Sequence, residues 1–176
     1  MAAVTVQERR LLRKGRAFDV TVETVTFPGG YTVDMEIIRH PGAAAIVALD
    51  AAHRIVLLHQ YRHAIGSTLW EIPAGTLEPG EEPLACAKRE LIEESGYSAA
   101  KWKYLGVVTP VPGYADERIH LFMATELSAR QSDLDPDEIV QVHSLPLDDV
   151  VSMILKGDIQ DAKTIVAIFH LLKIPV

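Results

Sequence analysis

The sequence predicts an α/β (α+β) protein in which a mixed sheet lies between layers of helices, preceded by an N-terminal antiparallel β extension. Three observations lead to this prediction. Apolar and polar residues alternate before residue 40, a continuous apolar run follows at Ala43–Leu49, and helical and strand periodicities alternate after residue 80. Strands that alternate with helices along the chain are typical of layered α/β architectures.

The N-terminal region is predicted to form a β-hairpin over residues 17–39. The residues on both sides of the turn signal Pro28-Gly29-Gly30 alternate with the period of a half-buried strand. A second turn signal, His40-Pro41-Gly42, marks a boundary. We therefore expect an N-terminal β element at residues 1–41 and a main domain at residues 42–176.

The main domain begins with Ala43–Leu49, whose unbroken apolar composition predicts a strand covered on both faces. A helix is predicted over residues 82–95, because Pro83 suits a first turn and Gly96 is placed to end it. The Gly- and Pro-containing stretch Ala74–Gly80 is predicted to be a loop. Further strands are predicted at Ile55–Tyr61, Leu69–Ile72, Trp102–Thr109 and Arg118–Leu127, and further helices at Leu147–Leu155 and Gln160–Leu172.

The composition excludes several classes of function. The 176 residues include 17 Lys and Arg against 24 Asp and Glu, and the net charge of −7 argues against general binding to nucleic acid. The lone Cys86 excludes an intramolecular disulfide and fits a reducing compartment. No apolar run approaches the roughly 18 residues that a membrane span needs, and Glu8 lies where a signal peptide would be apolar. We expect a cytoplasmic protein without membrane or nucleic-acid partners.

Three glutamates of the predicted helix form the first candidate site. Glu90, Glu93 and Glu94 have the spacing i, i+3 and i+4, which puts them on one helix face with Cβ atoms about 5–6 Å apart. Two like charges about 5 Å apart repel by roughly 3 kcal/mol at an effective dielectric constant of 20. Mg²⁺ is a hard cation that takes oxygen ligands. The cluster therefore indicates either a metal site or a solvated acidic face.

The longer pattern around these glutamates resembles the box of the Nudix hydrolases. Gly75 is followed after five residues by Glu81, and Arg89-Glu90-Leu91-Ile92-Glu93-Glu94-Ser95-Gly96-Tyr97 begins seven residues later. Every fixed position of the box is present, and Tyr97 replaces a more common aliphatic residue. The resemblance covers about residues 42–172 and implies an α/β/α sandwich.

The resemblance also implies a divalent-metal site and the residues that form it. Glu90 and Glu94 are its implied principal ligands, with Glu93 close by and the carbonyl of Ala74 as a further ligand. Arg89 is implied to assist catalysis by orienting a carboxylate. The implied cofactor is Mg²⁺, or Mn²⁺ in its place, with two or three ions when substrate is bound. The implied supporting residues are Gly75, Glu81 and Gly96.

Flanking stretches resemble the ADP-ribose pyrophosphatase branch of this family. They include Gln60-Tyr61-Arg62, Trp70-Glu71-Ile72-Pro73-Ala74-Gly75 and Pro112, which lies fifteen residues beyond Tyr97. This resemblance implies hydrolysis of ADP-ribose to AMP and ribose 5-phosphate. Two alternatives stay open: hydrolysis of another nucleoside diphosphate sugar such as GDP-mannose, and a non-catalytic sensor or regulator.

The same branch implies roles for several further residues. Glu117 is expected to be the general base, with Glu93 as its competitor, and Arg62 is expected to bind substrate phosphate. Glu71 is expected to help recognise the base or ribose, and Phe18 to stack on the adenine. Pro112 and Gly113 are expected to contact substrate. The N-terminal β element is expected to be exchanged across a homodimer and to complete the base site of the partner.

Overall fold

The computed structural model describes residues 3–134 and 139–173. The chain divides into two units by its internal contacts. The first unit contains Met1–Gly42 together with Thr109–Arg118, and the second contains Ala43–Val108 and Ile119–Val176. None of the helices within the described ranges is long and apolar enough to cross a membrane.

The first unit is built on a three-stranded antiparallel sheet. Its strands are β1 (Thr5–Lys14), β2 (Asp19–Thr26) and β3 (Thr32–Arg39), and they lie in chain order. The predicted hairpin is therefore confirmed. Its turn contains Gly29 and Gly30 at φ values of 98° and 87°, a backbone region that residues with a Cβ rarely occupy.

A later segment of the chain completes this unit. The amide of Ile38 donates to the carbonyl of Tyr114 at 2.8 Å, and the amide of Asp116 donates to the carbonyl of Ile38 at 3.2 Å. The Asp116 carboxylate also accepts hydrogen bonds from the Arg39 side chain and the His40 amide. In this division Thr109–Arg118 belongs with Met1–Gly42, and the boundary expected at residue 41 stays a prediction.

The second unit contains two sheets and three helices. The mixed sheet has the order β7-β4-β9-β8, in which β4 and β9 are parallel, and the antiparallel sheet has the order β10-β5-β6. Its strands are β4 (Ala43–Ala48), β5 (Arg54–Arg62), β6 (Ser67–Glu71), β7 (Ala74–Thr76), β8 (Tyr97–Val108), β9 (Ile119–Ala129) and β10 (Val140–Pro146). Its helices are α1 (Pro83–Ser95), α2 (Leu147–Lys156) and α3 (Ala162–Leu172).

Strand β4 lies between two hydrophobic clusters, as its composition predicts. Ala45 and Val47 pack in one cluster with Val150 of α2 and Ile168 of α3. The intervening residues Ala44, Ile46 and Ala48 pack in the other cluster with Cys86, Ala87 and Leu91 of α1. Because neighbouring residues of a strand face opposite sides of a sheet, α1 covers one face and α2 with α3 covers the other. The unit is an α/β/α sandwich.

Strands β7, β8 and β10 differ from the sequence prediction, and β8 begins at Tyr97 rather than at the expected Trp102. The segment Ala74–Gly80, expected to be a loop, begins with β7, whose three residues pair with Ala43–Ala45 of β4. Strand β10 was not predicted, because its residues are exposed or half-buried and carry no clear apolar alternation. It pairs with Arg54–Gln60 along seven positions.

Candidate active site

Helix α1 displays the acidic residues of the candidate site, and its ends agree with the prediction. It begins at Pro83 and ends at Ser95, and the following Gly96 has a φ of 70°. The Gly96 amide donates to the carbonyl of Ile92 at 2.9 Å, which closes the helix. The left-handed conformation at this position favours glycine. This termination turns the chain directly into β8.

Strand β7 runs beside α1 and fixes one of its glutamates to the backbone. Oε2 of Glu94 accepts a hydrogen bond from the Ala74 amide at 2.8 Å, and Glu94 is buried. The Ile46 amide donates to the carbonyl of Pro73. Because hydrogen-bonded pairs alternate along antiparallel strands, the backbone groups of Ala74 point away from β4 and toward the side of Glu94. The Ala74 carbonyl and the Glu94 carboxylate therefore share one side of β7.

Arg89 holds the other carboxylates of the box together. It donates to both oxygens of Glu81 at 3.1 and 3.0 Å, to Glu90 at 2.6 Å and to Glu93 at 2.9 Å. Its hydrogen bonds to Glu81 and Glu90 raise the pKa of Arg89 above its ordinary value. In turn, the hydrogen bond from Arg89 lowers the pKa of Glu81. The guanidinium therefore offsets the repulsion among these acids.

The donor set fits a hard divalent cation. Oxygens of Glu90 and Glu93 both lie within 3 Å of one nitrogen, Nη1 of Arg89, so these carboxylates converge on a point that already holds positive charge. Carboxylate and carbonyl oxygens are the ligands that Mg²⁺ takes in proteins. Within residues 3–134 and 139–173, no three acidic, His or Cys side chains are already arranged as a complete metal site.

Arg62 forms an ion pair with the buried Glu71 in the same unit. Nε and Nη2 of Arg62 each donate to a different oxygen of Glu71 at 2.7 Å. Lys163 donates to the same carboxylate, and Glu71 is only 2% exposed. Burial raises the pKa of Glu71, but the hydrogen bonds and charges of Arg62 and Lys163 outweigh it and place the pKa below its ordinary value. The expected role of Glu71 in recognising the base or ribose stays a prediction.

The acidic residues around Arg62 also raise its pKa. Its hydrogen bonds to Glu71 raise the pKa of Arg62, and the charges of Glu94 and Asp161 raise it further. The side chain is 40% exposed, in contrast to its buried partner. Arg62 is thus a partly solvent-accessible cation whose pKa responds to the charge of Glu94, one of the expected metal ligands.

The remaining predicted residues lie in the first unit. Phe18 is 43% exposed, and Pro112 and Gly113 are exposed in the segment before Tyr114. Oε1 of Glu117 lies 3.8 Å from Nδ1 of His40, beyond hydrogen-bond distance. That nitrogen accepts a hydrogen bond from the Gly42 amide instead. The roles of these four residues in substrate binding and catalysis stay predictions.

Sequence reasoning assigned no role to the first turn of α3. Asp161 caps this helix by accepting hydrogen bonds from the amide and hydroxyl of Thr164, and Lys163 lies between them. The Asp161–Thr164 spacing is a capping signal that could have been found. The contact of Lys163 with Glu71 joins residues 92 positions apart, and no local pattern predicts it.

The second unit is an α/β/α sandwich, and its acidic helix follows a strand that contains glycine. These two features together indicate one family of proteins. A family model described as the NUDIX domain matches residues 39–168. The chain therefore belongs to the Nudix hydrolase family, as the sequence resemblance implies.

Comparison with individual proteins shows which members of the family this chain is similar to. The ADP-ribose pyrophosphatase of Bacillus subtilis (strain 168) is 42% identical over 159 residues, covering 89% of this chain and 86% of the relative. The methanol dehydrogenase activator of Bacillus methanolicus has the same identity and coverage. A crystal structure described as an ADP compounds hydrolase matches with a TM-score of 0.85 and 21% identity, covering 98% of this chain and 94% of the other. The structural match establishes the shared fold.

Proposed function

We propose that this protein is a divalent-metal-dependent ADP-ribose diphosphatase that produces AMP and ribose 5-phosphate. The proposal is carried by one arrangement: Arg89 hydrogen-bonds to Glu81, Glu90 and Glu93 of the box, and Glu94 accepts a hydrogen bond from the Ala74 amide. These acids would hold a cation that acts on a diphosphate, and Arg62, whose side chain is 40% exposed, would bind the same diphosphate. The similarity to the Bacillus subtilis ADP-ribose pyrophosphatase supports this choice of substrate.

The box residues would hold Mg²⁺, or Mn²⁺ in its place. Glu90, Glu94 and the Ala74 carbonyl are the proposed ligands, with Glu93 beside them and two or three ions when substrate is bound. A bound divalent ion supplies charge neutralisation of the diphosphate and lowers the pKa of its water.

Residues of the protein would bind the phosphate, orient the carboxylates, accept a proton and contact the adenine. Arg62 binds a phosphate oxygen, for which its planar set of donors is suited. Arg89 orients the carboxylates of Glu90 and Glu93. Glu117 accepts the proton of the attacking water, and Glu93 is the alternative base. In the first unit, Phe18 stacks on the adenine and Pro112 and Gly113 line the substrate.

Product analysis on ADP-ribose, GDP-mannose and other nucleotide sugars tests the proposal. We expect AMP and ribose 5-phosphate, with ADP-ribose giving the highest kcat/KM. If kcat/KM for GDP-mannose is ten times that for ADP-ribose, the alternative substrate replaces the first choice.

Glu90→Gln and Glu94→Gln should abolish turnover while the fold is kept, and full activity in both would refute the metal assignment. Glu82→Gln is the control, since Glu82 is exposed and makes no side-chain cap bond to α1.

A second candidate function is regulation of another enzyme. It is favoured by the similarity to the methanol dehydrogenase activator. Addition of the protein to a purified bacterial methanol dehydrogenase separates the two ideas. Stimulation that survives in the Glu90→Gln variant would indicate a non-catalytic regulator, whereas stimulation that disappears with turnover would follow from hydrolysis.

We also propose a homodimer with an exchanged N-terminal β element. Every residue of β1 is exposed, and Val6, Leu11 and Leu12 expose about half of their surface. Apolar residues on an open edge strand favour pairing with another chain. Light scattering at micromolar concentration should give twice the mass of the chain, and a Leu11→Glu, Leu12→Glu variant should be smaller. A monomeric wild-type protein would rule out this assembly.

A further inference from the structure

Lys163 forms ion pairs with two acidic residues. It lies in the first turn of α3 with only 12% of its side chain exposed. Its Nζ atom is 2.5 Å from Oε2 of Glu71 and 3.0 Å from Oδ1 of Asp161. We propose that Lys163 is a positioning residue, which balances the buried acids so that Arg62 can turn its charge toward a substrate phosphate. This inference rests on the proposed function.

Acidic and basic side chains around Glu71 are present in equal number. Two acids, Glu71 and Asp161, and two bases, Arg62 and Lys163, form one connected group with no net charge. Lys163 contacts both acids, whereas the side chain of Arg62, among the residues that the structure describes, hydrogen-bonds to Glu71. Buried charges are tolerated when they are paired and hydrogen-bonded. Lys163 therefore supplies the positive charge that the second acid requires.

Two of the three guanidinium nitrogens of Arg62 bind Glu71, and the third is left for a ligand. Nε and Nη2 are bound to Glu71, which fixes the plane of the guanidinium. Across the described parts of the chain, Nη1 has no hydrogen-bond partner, and the side chain is 40% exposed. Without Lys163, Asp161 would lose its ion-pair partner, and its charge, like that of Glu71, would act on Arg62. The attraction of Arg62 to a phosphate would then compete with two carboxylates instead of one.

The turn that carries Lys163 also supports the metal-binding strand. The Ile72 amide donates to Oγ1 of Thr164 at 2.9 Å, and Oγ1 donates to Asp161 at 2.6 Å. Ile72 is two residues before Ala74, the proposed carbonyl ligand. One turn of α3 thus anchors both Arg62 and the start of β7. Lys163 itself is buried against acids, so its role is exerted through Arg62.

A double-mutant cycle tests whether Lys163 acts through Arg62. We expect Lys163→Met to lower kcat/KM for ADP-ribose at least tenfold, mainly through KM, while Lys163→Arg keeps it within about threefold. In an Arg62→Ala background, Lys163→Met should lower kcat/KM less than twofold further. A full-sized loss in that background, or an unchanged KM in Lys163→Met, would overturn the inference. If Lys163→Met does not fold, Lys163→Gln replaces it under the same expectations.

A binding measurement separates this inference from the proposed function. If the wild-type protein does not hydrolyse ADP-ribose, the proposed function fails, but calorimetry with inorganic diphosphate and Mg²⁺ still applies. Lys163→Met should weaken that binding at least tenfold, and Arg62→Ala should remove the effect of residue 163. Equal affinities of the wild-type and Lys163→Met proteins for diphosphate would refute the positioning role whatever the substrate.

Discussion

Gly75 and Glu90 lie so close that a side chain on residue 75 would overlap the carboxylate. A Cβ built at Gly75 would be 1.9 Å from both Cδ and Oε1 of Glu90. Real Cβ atoms do not approach other heavy atoms to this distance, so the glutamate must move if residue 75 gains a methyl group. Glycine at this position therefore fixes where the proposed metal ligand can lie.

Gly75→Ala is expected to lower kcat/KM by about 100-fold, because displacing a ligand by about 1 Å has effects of this size. Activity assays with a Mg²⁺ titration measure the loss. Gly30→Ala is the matched control: a Cβ there meets no atom within 4 Å, although its φ of 87° costs about 1 kcal/mol of stability. Equal activity of Gly75→Ala and wild type would exclude the proposed position of Glu90.

The two candidate bases can be separated by their kinetics. Glu117→Gln should lower kcat by about 10²- to 10⁴-fold with little change in KM, because a general base acts in the transition state. Glu93→Gln removes one acceptor of Arg89, which also contacts Glu90, and should therefore alter the dependence on Mg²⁺. If kcat is unchanged in Glu117→Gln and falls in Glu93→Gln, the base is Glu93.

The buried Glu71 should make the protein sensitive to acid. Its pKa in the folded protein lies below the ordinary 4.5, so the unfolded chain takes up a proton first as the pH falls. Its contribution to the free energy of unfolding is present above pH 4.5 and is lost as the pH falls through the folded pKa. Glu71→Gln should cost roughly 3 kcal/mol at neutral pH, since two cations lose their shared anion.

Urea unfolding at several pH values measures this contribution. Below pH 4.5, stability should fall less steeply in Glu71→Gln than in the wild type. Other carboxylates with lowered pKa values, such as Glu23 and Glu81, are present in both proteins, so the difference between the curves isolates residue 71. Parallel curves would contradict the ion-paired state of Glu71.

Cys86 should be chemically inert in the folded protein. Its side chain is fully buried, and burial, followed by the charges of Glu90 and Glu81, raises its pKa to about 12. The thiolate is the reactive form, and it is scarce far below the pKa. A thiol reagent at pH 8 should leave the native protein unmodified and label one thiol per chain after unfolding in urea. Because the chain has a single cysteine, rapid labelling of the native protein would place Cys86 outside the core.

Local patterns predicted the parts of the fold that local contacts create. The hairpin around Gly29 and Gly30, helix α1 and its Gly96 cap depend on residues within a few positions of each other, and all were predicted. The box glutamates belong to the same class, because a helix fixes their spacing. The strand β4 was predicted because burial on both faces requires an unbroken apolar run.

Contacts between distant segments explain what could not be predicted. Strand β10 forms because β5 offers an edge, not because its own residues alternate. The isolated bridge between Ile38 and Ala115 helps to place residues 109–118 in the first unit, and these two residues are far apart in sequence. In the sequence, Glu71 is a polar residue near a substrate motif, whereas in the structure it is buried and accepts a hydrogen bond from Lys163, which lies 92 residues later.

The anchoring of β6 and β7 by α3 has a consequence for synthesis of the chain on the ribosome. Ile72 and Glu71 find their partners, Thr164 and Lys163, only after almost the whole polypeptide has been made. The nascent chain therefore carries the complete box before the helix that steadies it exists. Contacts of such long sequence separation form late in folding. A chain that ends before α3 would contain every expected metal ligand but would lack the contacts that Thr164 and Lys163 make with Ile72 and Glu71.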